Sequence, residues 1–587
     1  MAAGDGEKAG AAKPVITVLD YGAGNVRSMA NALGRLGAEV RWVESAADIE
    51  SAERLLFPGV GAFGNAMETL EKKGLVDALK KYVEAGRPFL GVCVGLQTLF
   101  ARSEESEGVK GLGVFPGAVS SFWFPENSEV TVPHMGWNAL WEPEAGGDGV
   151  EKMLADEASG WARYYFVHSY RIAVEEVEAL EKAGVSVVLA RYGGDEFVAM
   201  LRKGNVIATQ FHPEKSGPAG LEFLRKFVFG ESDVNAAEDA AKADALAKAP
   251  DAAARRQRHN QKVIKLRKGT GLAKRVIACL DVRENDAGDL VVTKGDQYDV
   301  REQTEARGVR NLGKPVELAE RYYEQGADEI VFLNITSFRN EPLADVPMLQ
   351  VLERASEKIF VPLCVGGGIR SYVDAAGVAY SALDVASRYF RAGADKISLG
   401  SDAVYAAEKF WANGGVPDGT SSIEQISKVY GSQAVVVSID PQRVYINDIH
   451  DTDHSIVVMR PDELGPNGEM YAWYQCTVKG GRETRDIDAV QLAIAAQALG
   501  AGEIMLNCID ADGSKKGFEL NLITAVRRAV SIPVIASSGA GEPGHFTNCF
   551  IETRTEAALA AGMFHRNEYT IRQVKEEMEN HYLPTTL

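Results

Sequence analysis

The feature that most narrows the fold is a repeat inside the second half of the chain. GADEIVFLNIT begins at Gly326 and GAGEIMLNCID at Gly500, 174 residues later. Pro362 of VPLCVGGGIR aligns with Pro533 of IPVIASSGAG, 171 apart, and Asp281 of CLDV with Asp440 of VSID, 159 apart. Three matches in the same order mean one block used twice. The block is a short apolar run followed by a stretch of helical composition. Eight such runs occur, at 276–282, 329–336, 361–367, 396–401, 434–440, 503–510, 533–539 and 557–564. Eight strand–helix units predict a closed (β/α)8 barrel, here made of two half-barrels.

The first half has a different grammar. VITVLDYGAGN (15–25), LLFPGVGAF (55–63) and RPFLGVCVGLQTLF (87–100) each run from a buried-type strand into a Gly-rich turn. Strands alternating with helices predict an open α/β sheet. Between the halves, residues from Gly230 to about Lys268 are Ala-rich, charged and poor in large apolar side chains, the composition of a spacer. The expected order is therefore an extension over 1–14, an open-sheet domain over 15–229, a linker over 230–270 and a barrel domain over 271–587.

Charge and cysteine usage exclude several classes. Lys and Arg number 63 against 82 Asp and Glu, a net charge of −19 that disfavours a broad nucleic-acid surface. The 6 cysteines contain no CxxC pair, so neither a structural zinc nor a disulfide frame is expected, and a reducing compartment fits. No run approaches the length of a membrane span. Residues 1–14 lack both the apolar core of a secretory signal and the Arg/Ser richness of a transit peptide.

GVCVG (91–95) has the form Gly-x-nucleophile-x-Gly after a strand and before a helix. A sharp turn of that kind exposes its central side chain, here Cys93, and the glycines avoid collisions. The bland reading is a buried structural cysteine between packing glycines. His212 and Glu214 of HPE shift the balance. If 206–214 continues as a strand, the two share a face, and a carboxylate then orients an imidazole that accepts the thiol proton. PGVG (58–61) is a turn that can aim backbone N–H groups at an oxyanion, or simply a loop.

In the barrel, Asp281 and Asp440 close strands 1 and 5, which face each other across the mouth. Two opposed carboxylates can divide acid and base roles; the bland alternative is helix capping. The Gly-rich turns VGGGIR (Gly367, Gly368) and ASSGAG (Ser538, Gly539) end strands 3 and 7. LGSDA (Gly400, Ser401) and LAAGMF (Ala561, Gly562) end strands 4 and 8. Their placement predicts two phosphate sites on opposite sides of the mouth. Lys294 of TKGDQYD is either an anion contact or a solvated lysine.

DYGAGN, PGVGAF, GVCVGLQ, PHMGWN, FVHSY and QFHPEKS resemble the class I (triad) glutamine amidotransferases over nearly all of 15–229. KRVIACLDV, KGDQYDVRE, VGGGIR, GADKISLGSDAV, VVVSIDP, YAWYQCTVKGGRE, NCIDADG and ASSGAG resemble, over 274–587, the cyclase of imidazole glycerol phosphate synthases. The fused order is similar to the bifunctional plant and fungal members of that family. The resemblance implies that Cys93 is the nucleophile, His212 the base and acid and Glu214 its orienter. It assigns Val60 and Gly61 to the oxyanion loop, and Gln97, Ser169 and Tyr170 to the glutamine pocket. It implies Asp281 and Asp440 as the cyclase acid/base pair, Lys294 as a substrate-loop lysine, and Asp510, Asp512 and Gly513 as substrate contacts. Arg275, Glu329, Lys396 and Glu503 match a charged ring at the barrel bottom that gates ammonia. The implied substrates are glutamine and the bisphosphate PRFAR, with no cofactor and no metal, no nucleic acid or membrane partner, and two domains packed together in a monomer. The family's plant members point to a plastid stroma and the missing transit signature to the cytoplasm. Relative to small bacterial barrels, 371–387 and 443–470 read as inserted loops.

Two competing readings stay open on sequence alone. One is a sugar-phosphate isomerase barrel carrying a regulatory glutaminase-like domain; Cys93 with His212 and Glu214 argues against it. The other is a scaffold that kept the fold without the chemistry.

Overall fold

The computed structural model describes residues 13–141, 163–230 and 271–587, apart from 23, 126–127, 285–289, 295–309, 312–313, 336–345, 375 and 462. The proposed linker after Gly230 and nearly all of the N-terminal extension lie outside the described residues.

The first half is a nine-stranded mixed sheet. Strands 39–42, 15–18, 55–57, 89–92 and 206–209 run parallel in that spatial order. They are short and fully apolar at the centre, as strands covered on both faces must be. The sheet then continues antiparallel through 195–203, 186–192, 134–141 and 163–168. The last two strands form a ribbon in which Met135 pairs with Val167 and Trp137 with Tyr165.

The second half is a closed barrel of eight parallel strands: Arg275–Glu284, Glu329–Asn334, Leu363–Gly366, Lys396–Leu399, Val435–Ile439, Glu503–Asn507, Val534–Ser537 and Ala557–Ala560. Pairing of the first strand with the last, Arg275 to Ala557, closes it. The interior is an apolar plug that includes Ile277, Val331, Cys364, Val436, Met505 and Ile535.

Four segments depart from the sequence reading. The eighth strand stops at Ala560, and Gly562–His565 is already a helical turn. Residues 371–387 are a two-residue hairpin, 372–373 with 379–380, followed by an ordinary barrel helix, Ala382–Ala392, started by a Ser381/Asp384 capping box. Residues 443–470 belong to a four-stranded antiparallel sheet, 441–446, 456–458, 471–478 and 483–488, standing above strand 5. The strand at 206 ends at Thr209, and Pro213–Lys215 is a 3-10 turn, because Pro213 has no N–H to extend a ladder.

The two halves pack against each other at both edges of the barrel bottom. On one side the Asn25 amide donates to Gly393 O and Asp395 Oδ1, both at 2.8 Å, and Lys215 Nζ lies 2.6 Å from Asp395. On the other, Val132 N–H donates to Ser531 O at 2.9 Å. Among the described residues no helix is long and apolar enough to cross a membrane. All 6 cysteines are free and buried.

Candidate active sites

Cys93 sits at the turn between strand 89–92 and the helix Val94–Gln97 with φ +54° and ψ −105°. A non-glycine residue rarely holds such a φ, and the surroundings must enforce it. They do: a Cβ on Gly91 would lie 2.7 Å from Gly95 O, and one on Gly95 would lie 2.2 Å from Phe57 O. Both flanking glycines are therefore sterically required. The Cys93 N–H donates to Thr209 O at 2.7 Å, tying the turn to the strand that leads to His212.

His212 and Glu214 meet across the 3-10 turn, not along one strand face. His212 Nδ1 is 2.9 Å from Glu214 Oε1, and both side chains are buried. Imidazole Nε2 is buried with no hydrogen-bond partner at normal distance, and the Cys93 thiol is beside it. Burial alone would discharge His212; the Glu214 carboxylate and the neighbouring Cys93 side chain outweigh it and push its pKa up to about 10. The set is built to hold an imidazolium next to a sulfur nucleophile.

The PGVG turn lies against the first residue of the Cys93 helix, since a Cβ on Gly59 would meet Val94 Cγ1 at 2.6 Å. Tyr21 Oη donates to Val60 O at 2.8 Å, and Gly61 has φ +154°. Gln97 Nε2 donates to Tyr170 O at 3.1 Å and to Gln210 Oε1 at 3.2 Å. Gln210 Nε2 in turn points at Cys93 Sγ, 3.4 Å away. Ser169 contributes its carbonyl to Phe122 N–H at 3.4 Å. Gln210 escaped the sequence reading, although its place two residues before His212 was a usable signal.

At the barrel bottom Arg275, Glu329, Lys396 and Glu503 form a closed ring. Arg275 pairs with Glu329 at 2.8 Å and with Glu503; Lys396 pairs with Glu329 at 2.6 Å and Glu503 at 2.7 Å. None of the four is more than 2% exposed, so water does not share their charge. Burial works against Arg275 and Lys396, and the two glutamates override it and raise both. The ribbon 134–141/163–168 covers this ring, with Lys396 Nζ 3.6 Å from Met135 Sδ. Val167, paired with Met135 on the same ribbon, has its carbonyl 4.0 Å from Cys93 Sγ.

At the other end of the barrel a cavity of about 380 Å³ opens. Asp281 and Asp440 both line it, together with Gly367, Gly368, Gly400, Ser401, Asp512, Gly513, Ser538, Gly539, Ala561 and Gly562. A Cβ on Gly539 would meet Gly517 O at 2.1 Å, so that turn admits only glycine. Asp440 Oδ1 accepts from Asn507 Nδ2 at 2.8 Å and from Ser438 Oγ at 3.4 Å. Cys279 Sγ is 4.0 Å from Asp281 Oδ1, and burial, then the Asp281 charge, holds that thiol protonated. Asp510 is not part of the cavity wall: its carboxylate accepts the Arg443 backbone N–H at 2.6 Å and anchors the small antiparallel sheet. The Lys294 side chain lies outside the described residues. Asn507, Ser438, Arg370, Lys479, Lys515 and Arg566 join the rim or the Asp pair without having been singled out. Strand-end position was the signal available for Asn507 and Ser438.

Two family models match the halves separately. Residues 17–230 match "Glutamine amidotransferase class-I", and residues 275–570 match "Histidine biosynthesis protein". A protein of Schizosaccharomyces pombe named imidazole glycerol phosphate synthase hisHF is 51% identical over 570 residues, 97% of this chain and 99% of that protein. The chain belongs to the imidazole glycerol phosphate synthase family. An Arabidopsis thaliana member, named as chloroplastic, is 54% identical over 565 residues, 96% of this chain and 88% of that protein. A single-domain member, subunit HisF of Methanobrevibacter smithii, is 39% identical over 318 residues, 54% of this chain and 100% of that protein. That match covers about half of this chain and the whole of the relative, which fits two family modules joined in one chain.

Proposed function

We infer that the chain is a two-site enzyme of histidine biosynthesis. It hydrolyses glutamine to ammonia at Cys93 and passes the ammonia to the barrel. There PRFAR is converted to imidazole glycerol phosphate and AICAR. One observation carries this reading: the thiol and the charged ring lie against one ribbon, and the carboxylate pair lies at the far end of the same barrel.

The proposed residue roles are those the family resemblance implies, and the geometry above supports them. Cys93 attacks the glutamine amide carbonyl, His212 carries its proton to the leaving nitrogen, and Glu214 holds the imidazole by Nδ1. Val60 and Gly61 face the oxyanion, with Gln97, Ser169 and Tyr170 shaping the pocket. Ammonia leaves as the neutral species and stays out of water, where it would protonate to unreactive ammonium. Arg275, Glu329, Lys396 and Glu503 gate the barrel floor. Asp281 and Asp440 handle protons during cyclisation. The turns at Gly367, Gly368, Gly400 and Ser401, and at Ser538, Gly539, Ala561 and Gly562, hold the two phosphates, with Asp512 and Gly513 beside them. The domain limits are 15–229 and 271–587, and the working form is a monomer in a reducing compartment, cytoplasmic or plastid.

The test uses glutamine labelled with ¹⁵N at the amide, in the presence of excess unlabelled ammonium. Label retained in the imidazole supports internal transfer. Fully diluted label overturns it. An isomerase-type barrel would turn over with no nitrogen source at all.

A further inference from the structure

The repeat makes the two carboxylates equivalent by position, but their neighbours are not equivalent. Asp281 is registered beside Leu333 of strand 2. Asp440 follows Ile439, which is registered beside Leu506, so its neighbour on strand 6 is Asn507. One half of the barrel therefore places an apolar side chain next to its carboxylate, and the other places an amide. The amide is engaged: Asn507 Nδ2 donates to Asp440 Oδ1 at 2.8 Å and to Ser438 Oγ at 2.9 Å. Ser438 Oγ lies 3.4 Å from the same Asp440 oxygen. The residue two before Asp281 is Cys279, a far weaker donor, at 4.0 Å. Asn507 and Ser438 both line the cavity.

We propose that Asn507 is a positioning residue for the cyclase, holding the Asp440 carboxylate in its ionised form and in one rotamer. A donor to the charged form favours that form, and a donor shared with a hydroxyl also fixes the rotamer. The other titratable groups around Asp440 include, among the described residues, the buried Cys476 thiol on strand 471–478, Lys479 and Asp512 on the rim, and Asp281 across the mouth. Those near Asp281 include the Cys279 thiol, which the Asp281 charge helps hold protonated. This inference rests on the cyclase reading above.

The experiment is steady-state cyclisation of PRFAR with ammonium as the nitrogen donor, over pH, for the full chain and for Asn507→Leu, which imports the residue of the other half. The expected result is a fall in kcat of about ten- to a hundredfold with little change in KM. The acidic limb of kcat should also move to higher pH, because loss of the donor raises the proton affinity of Asp440. Asn507→Ser, which keeps a donor, should recover part of both effects, and melting temperatures establish that each variant is folded. A kcat and acidic limb unchanged in Asn507→Leu overturn the proposal, as does an Asn507→Ser variant no better than Asn507→Leu. If the unmodified chain fails to convert PRFAR with ammonium, the cyclase reading itself fails and takes this inference with it.

Discussion

The thiol site and the carboxylate site solve the problem of preorganisation in opposite ways. Around Cys93 the nucleophile and its His212/Glu214 pair are buried and come from one sheet: a strained turn, a 3-10 turn four residues past a strand end, and two glycines with no room for a Cβ. Around Asp281 and Asp440 the wall is an open rim, with contributions from all eight barrel strands or the turns that follow them. The first site is set before glutamine arrives. On the proposed reading the second is completed by its substrate, whose phosphates would bridge turns on opposite sides of the barrel. Covalent catalysis needs a nucleophile held in one pose, whereas a long substrate needs separated anchors.

The sharpest way to break this contrast is Cys93→Ala. Product formation with glutamine should fall by at least about a thousandfold, while formation with ammonium stays within about twofold. Equal loss with both donors would mean the two sites are one. Next in size, Asp440→Asn should lower turnover with either donor by about a hundredfold or more, as read by imidazole product formation.

A third test addresses the ring. Arg275→Met leaves Glu329 and Glu503 buried with Lys396 as their sole cation in the ring, and chemical denaturation should show a loss of about 3–5 kcal/mol. The smallest effect concerns His212. Its pKa is raised in the folded chain, so its stabilising contribution is full below its ordinary value near 6.5 and disappears as pH rises through about 10. Glu214→Gln should therefore cost about 1–3 kcal/mol at pH 6, with the deficit narrowing as pH approaches 10. A deficit independent of pH would mean that Glu214 contributes packing and not charge.

The two regions also differed in how far sequence could reach. Cys93, with its glycines, forms one contiguous motif, because a nucleophile turn is local in the chain. His212 and Glu214 were legible as a pair, but their geometry was misjudged: Pro213 converts the expected strand into a turn. In the barrel, the repeat exposed the strand count and the opposed aspartates. It did not expose Asn507, whose role depends on the register of strand 6 against strand 5. Asp510 was misplaced for a related reason. Only the folded sheet above strand 5 brings the Arg443 N–H to its carboxylate.

The ring under the barrel has one further consequence. Two cations and two anions sum to zero, so the threshold between the halves presents no net charge to a traveller. A neutral molecule of ammonia needs no counterion to cross it, while ammonium would arrive as an unmatched fifth charge in a dry place. On the proposed reading, the parity of that quartet would act as a filter on protonation state, independent of size.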